Sequence, residues 1–183
     1  MLYIITESGV VMEQQVYGGS FIQVTEERIG NSLYERAYLK HSVTVFPVDA
    51  EGRMLFIQEF RVHEDPQVRW KSVTGFLEEG ASVEENANRE LQEEIGKKAG
   101  RLEVIETMRS SGTINMAQHY VLARDLSEAK LPNPDGEESI LAVAALPLDE
   151  VLRRTLTGEI ARGAGAFVLL RLLYQVEKGL RRL

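Results

Sequence analysis

The chain contains no cysteine among its 183 residues, which excludes disulfide bonds, cysteine nucleophiles and thiolate metal sites. A bound metal ion would have to be held by oxygen or imidazole, so the carboxylates become the residues of interest. No stretch approaches the roughly 20 apolar residues that span a bilayer. The first ten residues also lack the basic segment and apolar run of a secretory signal. We therefore expect a cytoplasmic protein with no membrane partner.

Basic residues are the minority among the charges, with 21 Lys and Arg against 28 Asp and Glu. The resulting formal charge of −7 argues against a protein that coats nucleic acid, so we expect no nucleic-acid partner. Internal repeats, low-complexity tracts and Pro/Gly/Ser linkers are absent as well. With 44% hydrophobic and 27% charged residues, the composition is that of an ordinary globular protein.

Residues 1–40 alternate apolar and polar side chains between turn signals, which predicts an arm of short antiparallel strands. The strand segments of this arm are predicted at residues 1–6, 9–14 and 20–27. We expect the arm to precede a main domain at residues 41–183 and to pack on that domain or on a partner subunit.

The main domain begins with two apolar strand patterns, SVTVFPVD and RMLFIQEF, joined by a hairpin signature at residues 50–52. Further strand patterns follow in WKSVTGFL, RLEVIETM, AQHYVLAR and LAVAALP. The tail from Leu148 predicts two helices, the second over residues 164–178 with an apolar side. Strands followed by helices predict an α+β fold or a mixed-sheet α/β sandwich.

One helix is predicted with particular clarity, over residues 82–95. Ser82 followed three residues later by Glu85 forms a capping box, and Gly96 supplies a stop signal. Glu85 and Arg89 are also spaced as a favourable ion pair along the helix.

Three carboxylates share one face of this helix, because Glu90, Glu93 and Glu94 stand at i, i+3 and i+4. Like charges this close repel one another, and a divalent cation bound by hard oxygen ligands removes that cost. From the spacing alone, the alternative interpretation is a solvated acidic face.

The segment GFLEEGASVEENANRELQEEIGK, residues 75–97, closely resembles the Nudix box, G-x5-E-x7-R-E-U-x-E-E-x-G-U, in which U is a bulky aliphatic residue. Two positions depart from the pattern: Ala81 replaces its first Glu, which in the family orients the Arg of the box, and Lys97 replaces its terminal aliphatic residue. The positions that match are Gly75, Arg89, Glu90, Leu91, Glu93, Glu94 and Gly96.

The resemblance implies an α/β/α sandwich and the hydrolysis of a nucleoside diphosphate linked to another moiety, with Mg²⁺ or Mn²⁺ as cofactor. It also implies the roles of the box residues. The metal ligands would be Glu90, Glu93, Glu94 and the carbonyl oxygen of Gly75. Glu94 and Arg89 would act in catalysis, Arg89 by orienting the carboxylates through charge-assisted hydrogen bonds.

Outside the box, the order of landmarks is similar to the ADP-ribose and nucleotide-sugar pyrophosphatase branch of this family. These landmarks are the strand arm, HSVTVFPVD, FIQEFR, the loop RSSGTINMAQHYVLAR and the acidic loop PNPDGEES. Members of the branch are typically homodimers whose N-terminal strands help to build the partner's site. The resemblance therefore implies a homodimer and a nucleotide-sugar substrate.

The branch usually takes its catalytic base from an acidic loop after the box. In this chain Glu138 is the first candidate and Glu137 the second, the alternative being a loop that is acidic because it is exposed. Arg61 is a candidate for contacting phosphate, or it pairs with Glu59 or Glu64.

Three aromatic residues are candidates for stacking on a base: Trp70 and, more weakly, Tyr38 and Phe21 in the arm. Trp70 is the only tryptophan, and its alternative role is in the core or in an interface. The three histidines show no ligand spacing with one another, so we interpret them as structural.

Three functions remain open. The first is metal-dependent hydrolysis of ADP-ribose or a related nucleotide sugar to a nucleoside monophosphate and a sugar phosphate. The second is a Nudix enzyme for a dinucleoside polyphosphate or a nucleotide cofactor. The third is a Nudix module that senses a nucleotide without hydrolysing it, which Ala81 favours and the three intact carboxylates oppose.

Overall fold

The computed structural model describes residues 2–6, 9–110, 112–134 and 139–183. Contacts divide the chain into two compact units. Unit 1 contains residues 1–41 and 108–118, and unit 2 contains residues 42–107 and 119–183. The strands described are β1 (Leu2–Thr6), β2 (Gly9–Gly18), β3 (Ile22–Ile29), β4 (Ser32–Leu39), β5 (Ser42–Pro47), β6 (Met54–Phe60), β7 (Val68–Lys71), β8 (Val73–Phe76), β9 (Lys97–Ser110), β10 (Ile114–Glu128) and β11 (Ile140–Leu146), and the helices are α1 (Val83–Ile95), α2 (Leu148–Leu156) and α3 (Gly163–Glu177).

Unit 1 is an antiparallel meander in which β1 to β4 pair in chain order. Gly30 has a φ of 61° in the turn between β3 and β4, a conformation that favours glycine. The first residues of β10 then pair in parallel with β4, with Ile114 opposite Ala37. The predicted arm strands lie here, and β4 is a further strand that the sequence pattern did not indicate.

Polar side chains link the strands of unit 1. The Glu13 carboxylate accepts hydrogen bonds from Thr25 Oγ1 at 2.5 Å and from the Tyr38 hydroxyl at 2.9 Å. The bond from Thr25, followed by that from Tyr38, holds the pKa of Glu13 below its ordinary value despite burial. Glu27 pairs with Arg36 at 2.6 Å. The unit is therefore cross-linked by charge-assisted hydrogen bonds from neighbouring strands.

Unit 2 consists of two sheets and three helices. In the first sheet the strand order is β9, β10, β5, β8, and in the second it is β11, β6, β7. Helix α1 packs against β5 and β8, and α2 packs against α3. Residues from both sheets and from α1 form one buried apolar core: Val43, Val45, Ile57, Val73, Ala87, Leu91, Ala99, Val121 and Ala123. The predicted α+β fold with a mixed sheet is confirmed.

The turn at residues 50–52 forms as predicted, but the strands beside it do not make a hairpin. Gly52 has a φ of 76°, the Asp49 N–H donates to the Arg53 carbonyl at 2.9 Å, and one bridge joins Val48 to Met54. Strand β5 then pairs with β8, while β6 pairs with β7 and β11. The predicted pairing is therefore present only next to the turn, and beyond it the two strands belong to different sheets.

The segment WKSVTGFL, predicted as one strand, is two strands that meet at the buried Ser72. Strand β7 pairs with β6 in the second sheet, and β8 pairs with β5 in the first. The chain thus changes sheets immediately before Gly75. The residues on either side of Ser72 therefore belong to different sheets, and β8 packs against α1.

Helix α1 has the ends that the sequence predicts. The Ser82 side chain accepts a hydrogen bond from the Glu85 N–H at 3.1 Å, and the Glu85 carboxylate accepts one from the Ser82 N–H at 2.7 Å. Gly96 ends the helix with a φ of 68°. Across the described parts of the chain, no helix is long and apolar enough to cross a membrane.

Candidate active site

Two close approaches tie α1 to strand β8. The Thr74 N–H donates a hydrogen bond to Glu94 Oε2 at 3.1 Å. One residue later, the Glu90 carboxylate lies so close to Gly75 that a Cβ atom added at this glycine would overlap it. A glycine is therefore required at position 75. The carboxylates of Glu90 and Glu94 hold α1, the helix of the box, against β8, the strand of the box.

The three carboxylates of the predicted metal face are largely buried. The side chains of Glu90, Glu93 and Glu94 have exposed fractions of 10%, 13% and 9%. A face that merely kept the helix soluble would be exposed, because carboxylates are seldom buried without a partner. The burial rules out the solvated acidic face.

Lys71, which the sequence reasoning missed, lies between Glu94 of the predicted metal face and a further buried carboxylate, Glu59. Its Nζ lies 3.0 Å from Glu59 Oε1 and 3.3 Å from Glu94 Oε1, and it donates to Thr74 Oγ1 at 3.0 Å. Lys71 is the last residue of β7, directly before the chain changes sheets. A lysine ending a short strand has no sequence signature, so only its contacts identify it.

Glu94 is an unusual carboxyl group for a helix surface. Burial raises its pKa to about 7, and the neighbouring charges of Glu90 and Glu59 add to the effect. The charge of Lys71 and the Thr74 N–H oppose the rise without cancelling it. The ionised form of Glu94 is therefore disfavoured by its surroundings.

Glu59 is buried beside the same lysine, but its pKa moves in the opposite direction. Burial opposes its ionisation, and the Arg61 hydrogen bonds together with the Lys71 charge outweigh that cost and lower the pKa. Arg61 Nε and Nη2 donate to the two carboxylate oxygens at 2.9 and 3.0 Å. Of the two pairings predicted for Arg61, the structure has the one with Glu59.

Arg89, a half-buried residue of α1, makes many contacts with the polar groups around it. Its guanidinium group lies near three carboxylates, one carbonyl oxygen and one amide oxygen. These partners are Glu90 Oε1 at 2.9 Å, Glu93 Oε2 at 3.2 Å, Glu78 Oε1 at 3.5 Å, Phe76 O at 3.1 Å and Asn86 Oδ1 at 3.1 Å. Arg89 is held in place although Ala81 stands where the box pattern has glutamate.

Asn86 is a second residue that the sequence reasoning missed. It is buried, its Oδ1 accepts a hydrogen bond from the Glu78 N–H at 2.9 Å, and its Nδ2 donates to the Ser82 carbonyl at 2.7 Å. These bonds fix the acidic turn at residues 77–82 to the helix. Its position four residues before Glu90, and so on the same helix face, is the signal that would have found it.

The donor chemistry of this site fits a hard divalent cation. Carboxylates from one helix face and a backbone carbonyl are oxygen ligands of the kind that Mg²⁺ and Mn²⁺ prefer. The mutual repulsion of Glu90 and Glu94, seen in the raised pKa of Glu94, is the cost that a cation would relieve. Within residues 2–6, 9–110, 112–134 and 139–183, however, no group of three or more acidic or histidine side chains is arranged so that it could hold a metal ion.

The other predicted site residues lie in different surroundings. Trp70 is half-buried in β7, with the Arg154 guanidinium 6.0 Å from its ring centre. Tyr38 belongs to unit 1, where its hydroxyl donates to Glu13. Glu137 and Glu138 lie outside the described residues. Substrate contact by these side chains and by Arg61 stays a prediction.

Two histidines make the structural contacts that the sequence analysis expected. His41 Nδ1 accepts a hydrogen bond from the Ala117 N–H at 3.0 Å, and both residues belong to unit 1. His119 Nδ1 lies 3.0 Å from Thr107 Oγ1, within unit 2.

Comparison with known proteins gives matches over most of the chain. The NUDIX domain matches residues 39–164, more than half of the sequence. The ADP-ribose pyrophosphatase of Bacillus subtilis (strain 168) is 25% identical over 169 residues, which cover 89% of this chain and 91% of the relative. The methanol dehydrogenase activator of Bacillus methanolicus is 24% identical over 153 residues, covering 80% and 82%.

A solved structure described as "Crystal structure of ADP compounds hydrolase" has a TM-score of 0.75 to this chain. The match covers 94% of this chain and 97% of the other, at 22% sequence identity. At this level of identity the match establishes the fold alone, and it confirms the predicted sandwich.

Proposed function

The chain belongs to the Nudix family and is a Nudix pyrophosphohydrolase, and from this premise we propose that it cleaves ADP-ribose or a related nucleotide sugar in a metal-dependent reaction. The products would be a nucleoside monophosphate and a sugar phosphate. The observation that carries the proposal is the pair of contacts between the box strand and the box helix, Gly75 with Glu90 and Thr74 with Glu94.

The residues of the site divide into three roles. Glu90, Glu93, Glu94 and the Gly75 carbonyl would hold the cation. When bound, the cation would screen the pyrophosphate and stabilise charge that develops on the leaving oxygen. Arg89 positions Glu90 and Glu93, because its guanidinium group pairs with both carboxylates. Lys71 positions Glu94 through its ion pair with that carboxylate.

The water that attacks phosphorus must lose a proton, and we propose Glu138 as the base, with Glu137 as the second choice. A carboxylate on a loop that closes over bound substrate would remove the proton at the moment of attack. The proposal rests on the position of PNPDGEES after the box and on the acidic character of this segment.

The choice of substrate class rests on the relatives. One of them is named an ADP-ribose pyrophosphatase and a solved structure of the same fold is described as an ADP compounds hydrolase. The two matches cover 89% and 94% of this chain, more than the NUDIX match at residues 39–164 does. A dinucleoside polyphosphate or a nucleotide cofactor is the alternative substrate within the same chemistry.

Product analysis by chromatography tests the proposal. The panel contains ADP-ribose, ADP-glucose, GDP-mannose, UDP-glucose, NADH and diadenosine polyphosphates, each with Mg²⁺ and with chelator. The variants are Glu94→Gln and, as a matched control, Glu84→Gln on the exposed first turn of the same helix. Metal-dependent release of a nucleoside monophosphate by wild type and control, but not by Glu94→Gln, supports the proposal.

A nucleotide-sensing module is the second candidate, favoured by one observation. The three box carboxylates already have cationic partners, Glu90 and Glu93 in Arg89 and Glu94 in Lys71. Tight nucleotide binding by calorimetry without turnover of any compound in the panel would favour this function over hydrolysis.

We also propose that the protein is a homodimer, with unit 1 in the interface. Among the residues of this unit whose side chains the structure describes, eight large apolar ones are exposed: Val16, Tyr17, Phe21, Ile22, Ile29, Leu33, Tyr34 and Ile114. Apolar surface of this extent is typical of a protein interface. Light scattering at micromolar concentration should give twice the chain mass of 20.6 kDa. A mass of one chain would contradict the proposal.

A further inference from the structure

A recess of about 550 Å³ opens on unit 2, away from every residue of the candidate active site. Four arginines line it: Arg101 on β9, Arg124 on β10, and Arg181 and Arg182 in the segment after α3. Glu103 is the single acidic side chain in its wall. We call this recess the arginine pocket.

The charges of the arginine pocket do not balance. Glu103 pairs with both Arg124 and Arg181, so one carboxylate serves two guanidinium groups. Arg101 and Arg182 are exposed and have no ion-pair partner within the part of the chain that the structure describes. The lining residues carry four guanidinium side chains and one carboxylate side chain, an excess of positive side-chain charge on a chain whose formal net charge is −7.

Arg124 carries a hydrogen-bond donor that the protein does not use. Its side chain has an exposed fraction of 11%, its Nη1 donates to the Arg182 carbonyl at 2.8 Å, and its Nη2 contacts Glu103. Its Nε is buried with no hydrogen-bond partner in the described structure. A buried donor without an acceptor costs free energy, so the protein groups around Arg124 do not fully satisfy its guanidinium group.

The shape and lining point to a small phosphorylated molecule. Ligand pockets typically measure roughly 300–1,000 Å³, so the recess suits a molecule of nucleotide or sugar-phosphate size. Guanidinium groups match phosphate geometry through two parallel hydrogen bonds. Leu180 and Leu183 add apolar surface for the organic part. We propose that the arginine pocket is a second binding site, for the phosphate group of a phosphate monoester.

Binding of two probes tests this proposal, which does not depend on the proposed hydrolysis. Inorganic phosphate and adenosine monophosphate are titrated by calorimetry into the full chain in the presence of chelator, so that no divalent cation recruits them to the box carboxylates. The test variant is Arg101→Ala/Arg182→Ala, which removes the two unpaired guanidinium groups. Its matched control, Arg28→Ala/Arg109→Ala, removes two exposed arginines that belong to unit 1.

We expect Arg101→Ala/Arg182→Ala to weaken adenosine monophosphate binding about tenfold or more, since charge-assisted hydrogen bonds are among the strong ones. The control should stay within about twofold of wild type. Glu103→Gln removes the competing carboxylate and should tighten binding of both probes, which a loss of folding would not do. Far-ultraviolet circular dichroism verifies that each variant is folded.

Three results would overturn the proposal. The first is equal affinity of wild type and Arg101→Ala/Arg182→Ala for both probes. The second is an equal loss in the test variant and in its control, which would mean that only net charge matters. The third is binding of an oligoglutamate peptide without binding of adenosine monophosphate, which would assign the arginine pocket to an acidic protein segment.

Discussion

Glu59 and Glu94 are two buried carboxylates that contact the same lysine, and their pKa values move apart. Lys71 Nζ lies 3.0 Å from Glu59 and 3.3 Å from Glu94. Glu59 has Arg61 as a second cation and its pKa is lowered, whereas Glu94 has no second cation among the described residues and its pKa is raised to about 7. Both side chains have small exposed fractions, 3% and 9%, and burial raises both pKa values. The second cation outweighs this effect at Glu59, whereas at Glu94 the nearby carboxylates add to it.

The difference separates a structural carboxylate from a functional one. The positive charges of Arg61 and Lys71 compensate the buried Glu59 carboxylate, so it stays ionised without a metal ion. Glu94 has Lys71 as its cationic partner, two nearby carboxylates and a buried side chain, so it is destabilised in its ionised form. A carboxyl group kept in this state is suited to receive a metal ion, because the ion supplies the missing positive charge.

Among the substitutions that test the difference between Glu59 and Glu94, the largest effect is expected on turnover. Glu94→Gln should lower metal-dependent turnover by about a hundredfold or more, since a neutral amide binds a hard cation weakly. The matched control Glu84→Gln, on the same helix, should retain wild-type turnover. Near-normal activity of Glu94→Gln would place the metal site elsewhere.

Glu59→Gln should cost about 2 to 3 kcal/mol of the free energy of unfolding at neutral pH, because it leaves Arg61 and Lys71 short of their shared partner. The lowered pKa of Glu59 means that its stabilisation is present above the ordinary value of 4.5 and is lost as the pH falls through the folded value. The difference between variant and wild type should therefore shrink in acid.

Urea unfolding of Glu59→Gln at several pH values measures this loss. Glu51→Gln is the control, because it removes a largely exposed partner of an arginine, Arg53. It should change the free energy of unfolding by less than about 0.5 kcal/mol. A Glu59→Gln protein as stable as this control would show that the buried pairs are not stabilising.

Glu94→Gln should have the opposite effect on stability. With a folded pKa of about 7 against an ordinary 4.5, Glu94 contributes stability below the ordinary value that is lost as the pH rises through the folded one. At about pH 8 in chelator, the glutamine variant should be more stable than wild type by about 1 to 3 kcal/mol. Urea unfolding measures this difference. A Glu94→Gln protein that is less stable than wild type at this pH would contradict the claim that the ionised Glu94 carboxylate lacks sufficient compensating charge.

The smallest effect is expected at Ala81. Because Arg89 already pairs with Glu78, Glu90 and Glu93, Ala81→Glu should leave turnover within about twofold of wild type or raise it slightly. Steady-state kinetics measure the change. A large loss of turnover would mean that the small side chain is needed for substrate access.

Local signals predicted the box helix well. Its start at Ser82, its end at Gly96 and the shared face of its three carboxylates follow from capping chemistry and from the helical period. Each of these features depends on residues a few positions apart in the sequence. The structure reproduces them without correction.

Long-range pairing explains what the sequence did not predict. The turn at Gly52 was correct, but its flanking strands join different sheets, and no local signal distinguishes this from a hairpin. Lys71 and Glu59 meet only because β7 and β6 pair, with Lys71 opposite Ile57 two residues from Glu59. The charge environment of Glu94 is therefore a property of the fold rather than of the box.

Direct binding of Mn²⁺, followed by electron paramagnetic resonance near neutral pH, tests the central claim that the under-compensated carboxylate face is a metal site. We predict that wild type and Glu84→Gln bind Mn²⁺ alike and that Glu94→Gln binds it at least about tenfold more weakly. Equal Mn²⁺ affinity in all three proteins would contradict the account, because the raised pKa of Glu94 would then have no connection with a cation.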